Sequence, residues 1–316
     1  MPHALVKVSS ESPGEITVPA RKMSDIWRSL PNGQPILMEQ VGDKVKIKTG
    51  GSSFTLSTIP ASEFPEGLGE ANDRTIQIDG SEFRKAVEEV AFAMAQQDVR
   101  YFLNGMLIEV GEGKIKLVAT DGHRLAMSEI KISEGPSQAD VKRAIIPRKA
   151  VLELLKVLDG SESFSLSISN KLITVKAGAY NFTTKLVEGQ FPDYKKVVPR
   201  DGNVRFAIDR QAFREALQRV SILSNEKYRG VRLQLGDNSL KIQANNPEQE
   251  EAEEVLEVSY QGDSLEIGFN VGYLLDVLGT ISALEAQLTL SDGNSSVLME
   301  GVEGSNSLYV VMPMRL

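Results

Sequence analysis

The chain repeats a pattern of residues at a nearly constant spacing, and this constrains its fold more than any other feature. One set of matches lies 128 positions apart: Val18-Pro19-Ala20-Arg21-Lys22 with Ile146-Pro147-Arg148-Lys149, and Phe54-Thr55 with Phe182-Thr183. A second set lies 130 positions apart: Ile78-Asp79, Phe83-Arg84, Ala86 and Val90 with Ile208-Asp209, Phe213-Arg214, Ala216 and Val220. A fixed offset over this many positions predicts copies of one structural unit.

Each copy predicts the same order of elements. A short strand ends at Asp79 or Asp209, where the carboxylate can cap a helix by accepting from free backbone N–H groups. Apolar residues at helical spacing follow, and alternating polar and apolar residues then predict strands. Asp292-Gly293 and Gly50-Gly51 indicate hairpin turns. The predicted fold class is α+β, with helices packed on one side of antiparallel sheets.

The repeat divides the chain into five half-units of about 65 residues: 1–68, 69–134, 135–199, 200–262 and 263–316. Two half-units make a domain, so complete domains are predicted at 69–199 and 200–316. The odd half-unit, 1–68, is the first, which predicts that the first domain lacks its own beginning.

Composition restricts the possible functions. The chain has no cysteine, which excludes disulfides, thiolate metal sites and thiol nucleophiles and fits a reducing cytoplasm. No signal peptide is predicted, and no stretch approaches the ~20 apolar residues that span a bilayer. The net charge of −8 argues against tight phosphate binding. However, the five predicted helices, 18–30, 81–97, 148–157, 209–221 and 270–281, together carry +3, so they are basic relative to the remaining chain.

Several motifs resemble those of one known family, the bacterial DNA polymerase III beta sliding clamps. The two most specific are Ala119-Thr120-Asp121-Gly122-His123-Arg124-Leu125-Ala126 and the C-terminal Tyr309-Val310-Val311-Met312-Pro313-Met314-Arg315-Leu316. Further matches are Arg100-Tyr101-Phe102-Leu103-Asn104-Gly105, Phe191-Pro192-Asp193-Tyr194, Leu223-Ser224-Asn225-Glu226-Lys227 and Asn245-Asn246-Pro247-Glu248. The motifs occur in the family's order along essentially the whole chain.

The resemblance implies a DNA-clamp fold and a function without catalysis or cofactor. Three similar domains per chain, and two chains joined head to tail, would form a ring around duplex DNA of any sequence, with helices lining the hole and sheets outside. The family has about fifty more residues before the equivalent of Ala4, which again predicts a truncated first domain. A mildly basic lining inside an acidic protein suits DNA that slides without tight phosphate contacts.

The resemblance also implies a pocket between domains two and three. It would bind short peptide motifs of DNA polymerases, the clamp loader and repair proteins. The matching positions are Leu103, Thr120, Gly122, His123, Arg124, Leu125, Pro192, Lys196, Val197, Asn270, Tyr273, Ser296, Val310, Val311, Met312, Pro313, Met314, Arg315 and Leu316. Apolar members would hold a peptide's hydrophobic anchors. At Lys196 the family often has arginine, whose planar fork lysine lacks. The alternative for 310–314 is an ordinary buried last strand.

Two more surfaces follow from the resemblance. The positions that match DNA contacts are Gln97, Arg100, Tyr101, Phe102, Arg148 and Lys149. The alternatives are solvated helix charges for the basic residues and core packing for the aromatic ones. The contact between subunits would place Phe54 and Leu56 of one chain against Ile222 and Leu223 of the other, as a head-to-tail contact that can close a ring. The alternative for Ile222 and Leu223 is core packing at a helix end.

Two other functions were weighed against the clamp. An enzyme is disfavoured because the chain has only two histidines, His3 and His123, and no HExxH, Walker A or GxSxG motif. The acidic run 248–254 lacks EF-hand spacing and is typical of a solvated face. The second alternative is a truncated open or monomeric clamp that binds partner peptides without encircling DNA. Solution mass would separate it from a ring-forming dimer.

Overall fold

The N-terminal unit, Ala4–Leu68, contains one helix and a three-stranded sheet in the computed structural model. The structure describes residues 14–64, 69, 75–111, 113–132, 141–199, 202–302, 304 and 306–315. The elements of this unit are β1 (Ile16–Thr17), α1 (Ala20–Ser29), β2 (Leu37–Val41), β3 (Lys44–Thr49), β4 (Ser52–Ser57) and β5 (Ile59–Pro60). The strands β2, β3 and β4 pair in sequence order, and β1 pairs with β5.

The core of this unit is small. It is centred on Val45, Ile47 and Leu56, which are at most 8% exposed, whereas every residue of β2 is exposed. The Leu56 side chain packs in this core, which does not favour a side-chain contact with a second subunit, while a contact through the edge of its strand stays a prediction. Phe54 is half-buried beside this core. The predicted hairpin at Gly50-Gly51 is confirmed by the pairing of Thr49 with Ser52.

The second unit, Gly69–Leu316, contains four copies of a leading strand, a helix and three closing strands. The first two copies are β6 (Thr75–Asp79), α2 (Gly80–Ala91), β7 (Gly105–Gly111), β8 (Lys114–Thr120) and β9 (Arg124–Lys131), then β10 (Lys142–Pro147), α3 (Arg148–Val157), β11 (Ser163–Ile168), β12 (Leu172–Ala177) and β13 (Tyr180–Lys185). The last two are β14 (Val204–Asp209), α4 (Arg210–Val220), β15 (Gly230–Gly236), β16 (Ser239–Asn245) and β17 (Glu251–Glu257), then β18 (Leu265–Asn270), α5 (Val271–Thr280), β19 (Glu285–Leu290), β20 (Val297–Gly301) and β21 (Ser307–Val311). This confirms the predicted α+β class and order of elements.

Leading strands cross between half-units. The strand β10 joins the sheet of β7, while β6 joins the sheet of β11; β14 and β19, and β18 and β15, make the same exchange. Two half-units therefore share their sheets, and the helices pack against them through fully buried residues such as Phe83, Phe213 and Leu274. Among the described residues, no helix is long and apolar enough to span a membrane.

One sheet runs across two pairs of half-units. Its order is β10-β7-β8-β9-β21-β20-β19-β14, and the join is the antiparallel pair of β9 with β21. Leu125 lies opposite Val310, and Ser128 opposite Ser307. The join also has a polar anchor, because the Glu89 carboxylate of α2 accepts from the Ser128 hydroxyl at 2.9 Å and from the Ser307 hydroxyl. The last strand of the chain is thus hydrogen-bonded to the strand that carries the Thr120–Leu125 motif.

The helix limits agree with the sequence except in one case. Asp79 and Asp209 cap α2 and α4 as predicted, accepting from Ser81, Glu82 and Ala212 backbone N–H groups at 2.7–2.9 Å. The helix predicted over 81–97 was too long, since α2 ends at Ala91. A terminal nitrogen of Arg148 donates to the Met94 carbonyl at 3.2 Å, and Ala93 and Met94 form tighter turns that close this end.

Removal of the α2 cap is expected to be measurable. Asp79→Ala should lower the free energy of unfolding by about 1 kcal/mol, because two backbone N–H groups lose their acceptor. Asp79→Asn, which keeps an acceptor oxygen, is the control. Both N–H groups and the Ser81 hydroxyl lower the pKa of the Asp79 carboxyl. The contribution of the charged form is therefore complete above the unfolded pKa near ~4 and is lost as pH falls through the lower folded pKa. Urea denaturation at pH 7 and pH 3 should show the Asp79→Ala effect shrinking at the lower pH.

Candidate functional site

The Thr120–Arg124 segment is a rigid turn between β8 and β9. The Asp121 carboxylate accepts from the backbone N–H groups of His123 at 2.9 Å and Arg124 at 3.0 Å. The Thr120 hydroxyl accepts from Gly122 N–H at 3.1 Å and donates to the Arg124 carbonyl at 2.7 Å. Gly122 has φ +90°, a conformation that L side chains rarely adopt. Threonine, aspartate and glycine occur at 120–122 because their side-chain hydrogen bonds and the positive φ of Gly122 stabilise this turn.

The C-terminal segment lies against this turn. Beyond β21, Met312 N–H donates to the His123 carbonyl at 2.8 Å, and Met314 N–H donates to the Gly268 carbonyl at 2.9 Å. A third segment, residues 186–197, follows β13 and is called the connector below. Its residues Pro192, Tyr194 and Val197 lie beside the turn and the last strand.

These three segments and the loop before β7 line a largely apolar pocket of about 280 Å³, here called the apolar pocket. The structure brings nine of the predicted pocket residues to its wall: Leu103, Thr120, Gly122, Arg124, Leu125, Pro192, Val197, Val310 and Met312. Sequence reasoning did not assign four other lining residues to it: Arg100, Phe102, Asp193 and Tyr194. Among its apolar lining residues, Pro192, Val197 and Met312 are exposed, the last two at 39% and 38%, whereas Leu103, Leu125 and Val310 are buried.

Other predicted pocket residues lie outside the apolar pocket. Val311 is fully buried in the main core, which corrects its assignment, because successive side chains of a strand point to opposite faces. Asn270 caps α5 by accepting from Gly272 N–H at 2.9 Å and donates to the Tyr228 carbonyl at 3.2 Å. Lys196 is exposed and pairs with Asp193 at 3.2 Å. His123, Tyr273, Ser296, Pro313, Met314 and Arg315 also lie off this wall, and Leu316 lies outside the described residues.

Arg124 braces the wall of the apolar pocket. Its guanidinium pairs with Asp121 at 3.1 Å, donates to the Phe92 carbonyl at 3.0 Å and also reaches the Asp276 carboxylate of α5. The guanidinium carbon lies 5.1 Å from the Phe92 ring centroid and 4.7 Å from that of Tyr273, distances typical of cation–π contacts. The side chain is 13% exposed. These contacts join α2, the turn and α5.

The loop 97–102, which is predicted to touch DNA, has both exposed residues and residues that face the apolar pocket. Tyr101 is 59% exposed, and Gln97 has φ +56°, rare for a residue other than glycine. Arg100 forms two hydrogen bonds with Asp98, at 2.8 and 3.0 Å, and this guanidinium lowers the pKa of the Asp98 carboxyl to about 2. Phe102 lines the apolar pocket, which favours packing over base contact for this ring.

The remaining predicted cations and interface residues differ in exposure. Arg148 is half-buried and caps α2, whereas Lys149 is exposed. Ile222 is 77% exposed, which does not support core packing for this side chain; Leu223 is half-buried. Lys149 and Ile222 are therefore the residues of these two sets most available to a partner.

The chain matches family models of known proteins over three consecutive parts. These are the N-terminal domain of the DNA polymerase III beta subunit at residues 2–68, the central domain at 77–193 and the C-terminal domain at 195–315. The match that begins at residue 2 does not support the prediction of a truncated first domain.

Individual relatives agree with these models. The beta sliding clamp of Pseudomonas aeruginosa is 52% identical over 316 residues, which cover 99% of this chain and 85% of the relative. A crystal structure of the Pseudomonas aeruginosa DNA polymerase III subunit beta superimposes with a TM-score of 0.95 at 51% identity, covering 99% of this chain and 86% of that one. Another structure, of the Pseudomonas aeruginosa clamp bound to griselimycin, has a TM-score of 0.90 at 52% identity and covers 96% and 82%.

The repeated units, the motif turn and these matches agree. The chain belongs to the DNA polymerase III beta subunit family, the bacterial beta sliding clamps, and has their fold of repeated α+β domains.

Proposed function

We propose that this chain is a sliding clamp, a non-catalytic processivity factor that encircles duplex DNA in the cytoplasm and tethers DNA polymerases, the clamp loader and repair proteins. The join of β9 with β21 is the observation that carries the proposal. In this join, a strand of 69–199 pairs edge to edge with a strand of 200–316, and a contact of this kind, repeated between chains, can close a ring. The proposed domains are 1–68, 69–199 and 200–316.

Two further strands support closure through a second copy. In the described part of the chain, β4 and β17 each have a strand partner on one side only. An unpaired edge is a template for pairing with another chain. Phe54 is part of β4. Ile222 lies in the short helical turn Ser221–Leu223, which contacts β17, and its side chain is 77% exposed. We infer a head-to-tail homodimer in which these edges meet, with Leu223 as a second contact.

The helix charges support DNA as the occupant of the ring. Counting Lys and Arg against Asp and Glu, α1, α3 and α4 each carry +2, while α2 and α5 each carry −1. The whole chain carries −8. The helices are therefore the basic part of an acidic protein. Lys149, Gln97, Arg100 and Tyr101 are the proposed DNA contacts, which would bind any sequence through phosphate and base stacking.

The apolar pocket is the proposed site for partner peptides. Most of its wall is formed by Leu, Val, Met, Pro and aromatic side chains, and Arg100, Thr120, Arg124 and Asp193 are its polar lining residues. Such a wall suits the hydrophobic anchors of a linear motif, and the flexible Met312 side chain can adapt to different partners. We propose that griselimycin, which is bound to the Pseudomonas aeruginosa relative, also occupies this pocket here.

Retention on circular DNA tests the proposal. The chain, loaded with the Pseudomonas aeruginosa clamp loader and ATP, should coelute with nicked plasmid at about 0.3 M salt, where surface contacts are screened, and should be lost after one double-strand cut. Ile222→Ala/Leu223→Ala should give monomers of 34.6 kDa by light scattering instead of dimers of twice that mass, and should not be retained. Equal loss from circular and cut DNA would contradict ring closure. An intact dimer of the double variant would contradict this interface.

A further inference from the structure

The connector also borders a second cavity, here called the outer cavity. It has a volume of about 720 Å³ and is lined by residues of β7, β10 and the connector. Pro192, Asp193 and Tyr194 line both cavities. The connector therefore borders open space at both cavities, and its position depends on the packing and the hydrogen bonds that hold it to the sheet.

Few such bonds are present. At the start of the connector, Val187 N–H donates to the Ile145 carbonyl of β10 at 2.8 Å. Farther along, the backbone hydrogen bonds described for residues 188–197 are local turns among Pro192–Val197. The link from this stretch to the sheet is the Tyr194 hydroxyl, which donates to the Glu109 carboxylate of β7 at 2.7 Å.

This link is buried and aligned. Glu109 and Tyr194 are 6% and 5% exposed. Arg143, directly opposite Glu109 in the pairing of β7 with β10, holds the other carboxylate oxygen at 2.7 Å. Burial, together with the adjacent Glu109 carboxylate, raises the pKa of the Tyr194 hydroxyl, so it remains a donor at neutral pH. A hydrogen bond between two buried side chains, one of them a charged acceptor, is among the stronger ones in a protein.

The two ends of Tyr194 serve different cavities. Its ring packs with Leu125 and Val310 in the cluster beneath the apolar pocket. Its hydroxyl points to Glu109, which lines the outer cavity and is absent from the wall of the apolar pocket. Because the hydroxyl is bonded to Glu109, a change there is expected to act on a ligand in the apolar pocket through the position of the connector.

We propose that Tyr194 is a positioning residue for the apolar pocket: its bond to Glu109, which Arg143 aligns, holds the connector where Pro192 and Val197 form the pocket wall. The inference rests on the proposed function of that pocket in binding partners. Without the bond, the connector can relax toward the outer cavity, and the wall is formed in only a fraction of molecules. Apparent affinity then falls by that fraction.

Tyr194→Phe tests this with griselimycin as the probe. The variant keeps the ring and removes the hydroxyl, and it should bind griselimycin about tenfold more weakly than the unmodified chain, corresponding to a competent fraction near a tenth. Because the bound complex keeps its contacts, the association rate should fall about tenfold while the dissociation rate stays unchanged. Surface plasmon resonance gives both rates, and circular dichroism verifies that the variant is folded at the measuring temperature.

Matched variants make the result specific. Tyr260→Phe also removes one tyrosine hydrogen bond, to the Asp263 carbonyl at 2.9 Å, but lies away from the pocket wall, and it should bind normally. Glu109→Gln keeps an acceptor for the Tyr194 hydroxyl and should lose less affinity than Tyr194→Phe. The double variant should bind griselimycin as weakly as Tyr194→Phe alone.

The outcomes separate this inference from the proposed function. If the unmodified chain binds griselimycin and Tyr194→Phe binds equally well, the positioning role is wrong while the pocket function stands. A loss that lies entirely in faster dissociation would indicate direct contact with the ligand and would also overturn it. If the unmodified chain does not bind, the proposed ligand of the pocket is wrong and the inference falls with it.

Discussion

Arg124→Ala is expected to lower the free energy of unfolding by about 3 kcal/mol, the size typical of removing one partner from a buried ion pair. The variant removes the hydrogen bond to the Phe92 carbonyl and the contacts with both Asp121 and Asp276. The Asp121 carboxylate, whose side chain is only 18% exposed, loses its ion pair with Arg124. Two cation–π contacts are lost as well. Urea denaturation followed by circular dichroism measures the loss.

The control for this prediction is an exposed arginine. Arg232 pairs with Glu266 at 3.0 Å, but its side chain is 41% exposed, so Arg232→Ala should cost less than about 1 kcal/mol. Arg124→Lys should recover little stability, because an ammonium cannot bond Asp121, Asp276 and the carbonyl in one planar arrangement. A loss below ~1 kcal/mol for Arg124→Ala would mean that its contacts contribute no more than a surface pair.

Val197→Asp and Met312→Asp are each expected to weaken griselimycin binding at least about a hundredfold, roughly 2.7 kcal/mol. A carboxylate facing an apolar ligand loses hydration without gaining a partner. These two positions are chosen because they line the apolar pocket while keeping 39% and 38% of their surface exposed, so the fold should tolerate the charge. Isothermal titration calorimetry measures the affinity.

A valine outside the pocket provides the matched comparison. Val302 follows β20 and is 43% exposed, close to the value for Val197. Val302→Asp should bind griselimycin like the unmodified chain, with a similar change in thermal stability. Retained binding by Val197→Asp and Met312→Asp would place the ligand elsewhere on the molecule.

Local sequence signals predicted most of the elements. The aspartate caps and the alternating strands were sufficient for single elements, because each depends on residues close together in the chain. The repeat offsets of 128 and 130 positions showed that the same order of elements recurs. The length of α2 could not be predicted in this way. Residues 92–97 contain no glycine or proline to end a helix, and the end is fixed by Arg148, more than fifty positions later.

The pocket residues were likewise predictable only in part. The Thr120–Leu125 turn and Pro192 were found through a family resemblance, and the structure brings them together. Strand alternation alone could have separated Val310, which faces the pocket side, from Val311, which faces the main core. Tyr194 was missed as a lining residue because its role depends on Glu109, eighty-five positions away, and no spacing rule connects them.

The join between β9 and β21 has a consequence for resistance to inhibitors. Leu125 and Val310 line the apolar pocket and also face each other across this join, so a substitution that repels a bound compound there also disturbs the pairing of the two strands. Substitution of Thr120 or Gly122 would disturb the turn before β9, which depends on the Thr120 hydroxyl and on the positive φ of Gly122. Escape mutations with little cost to folding are therefore expected at the exposed lining positions, Pro192, Val197 and Met312. A compound that binds mainly to the buried lining residues Leu103, Leu125 and Val310, and little to the exposed ones, leaves the protein few viable resistance mutations.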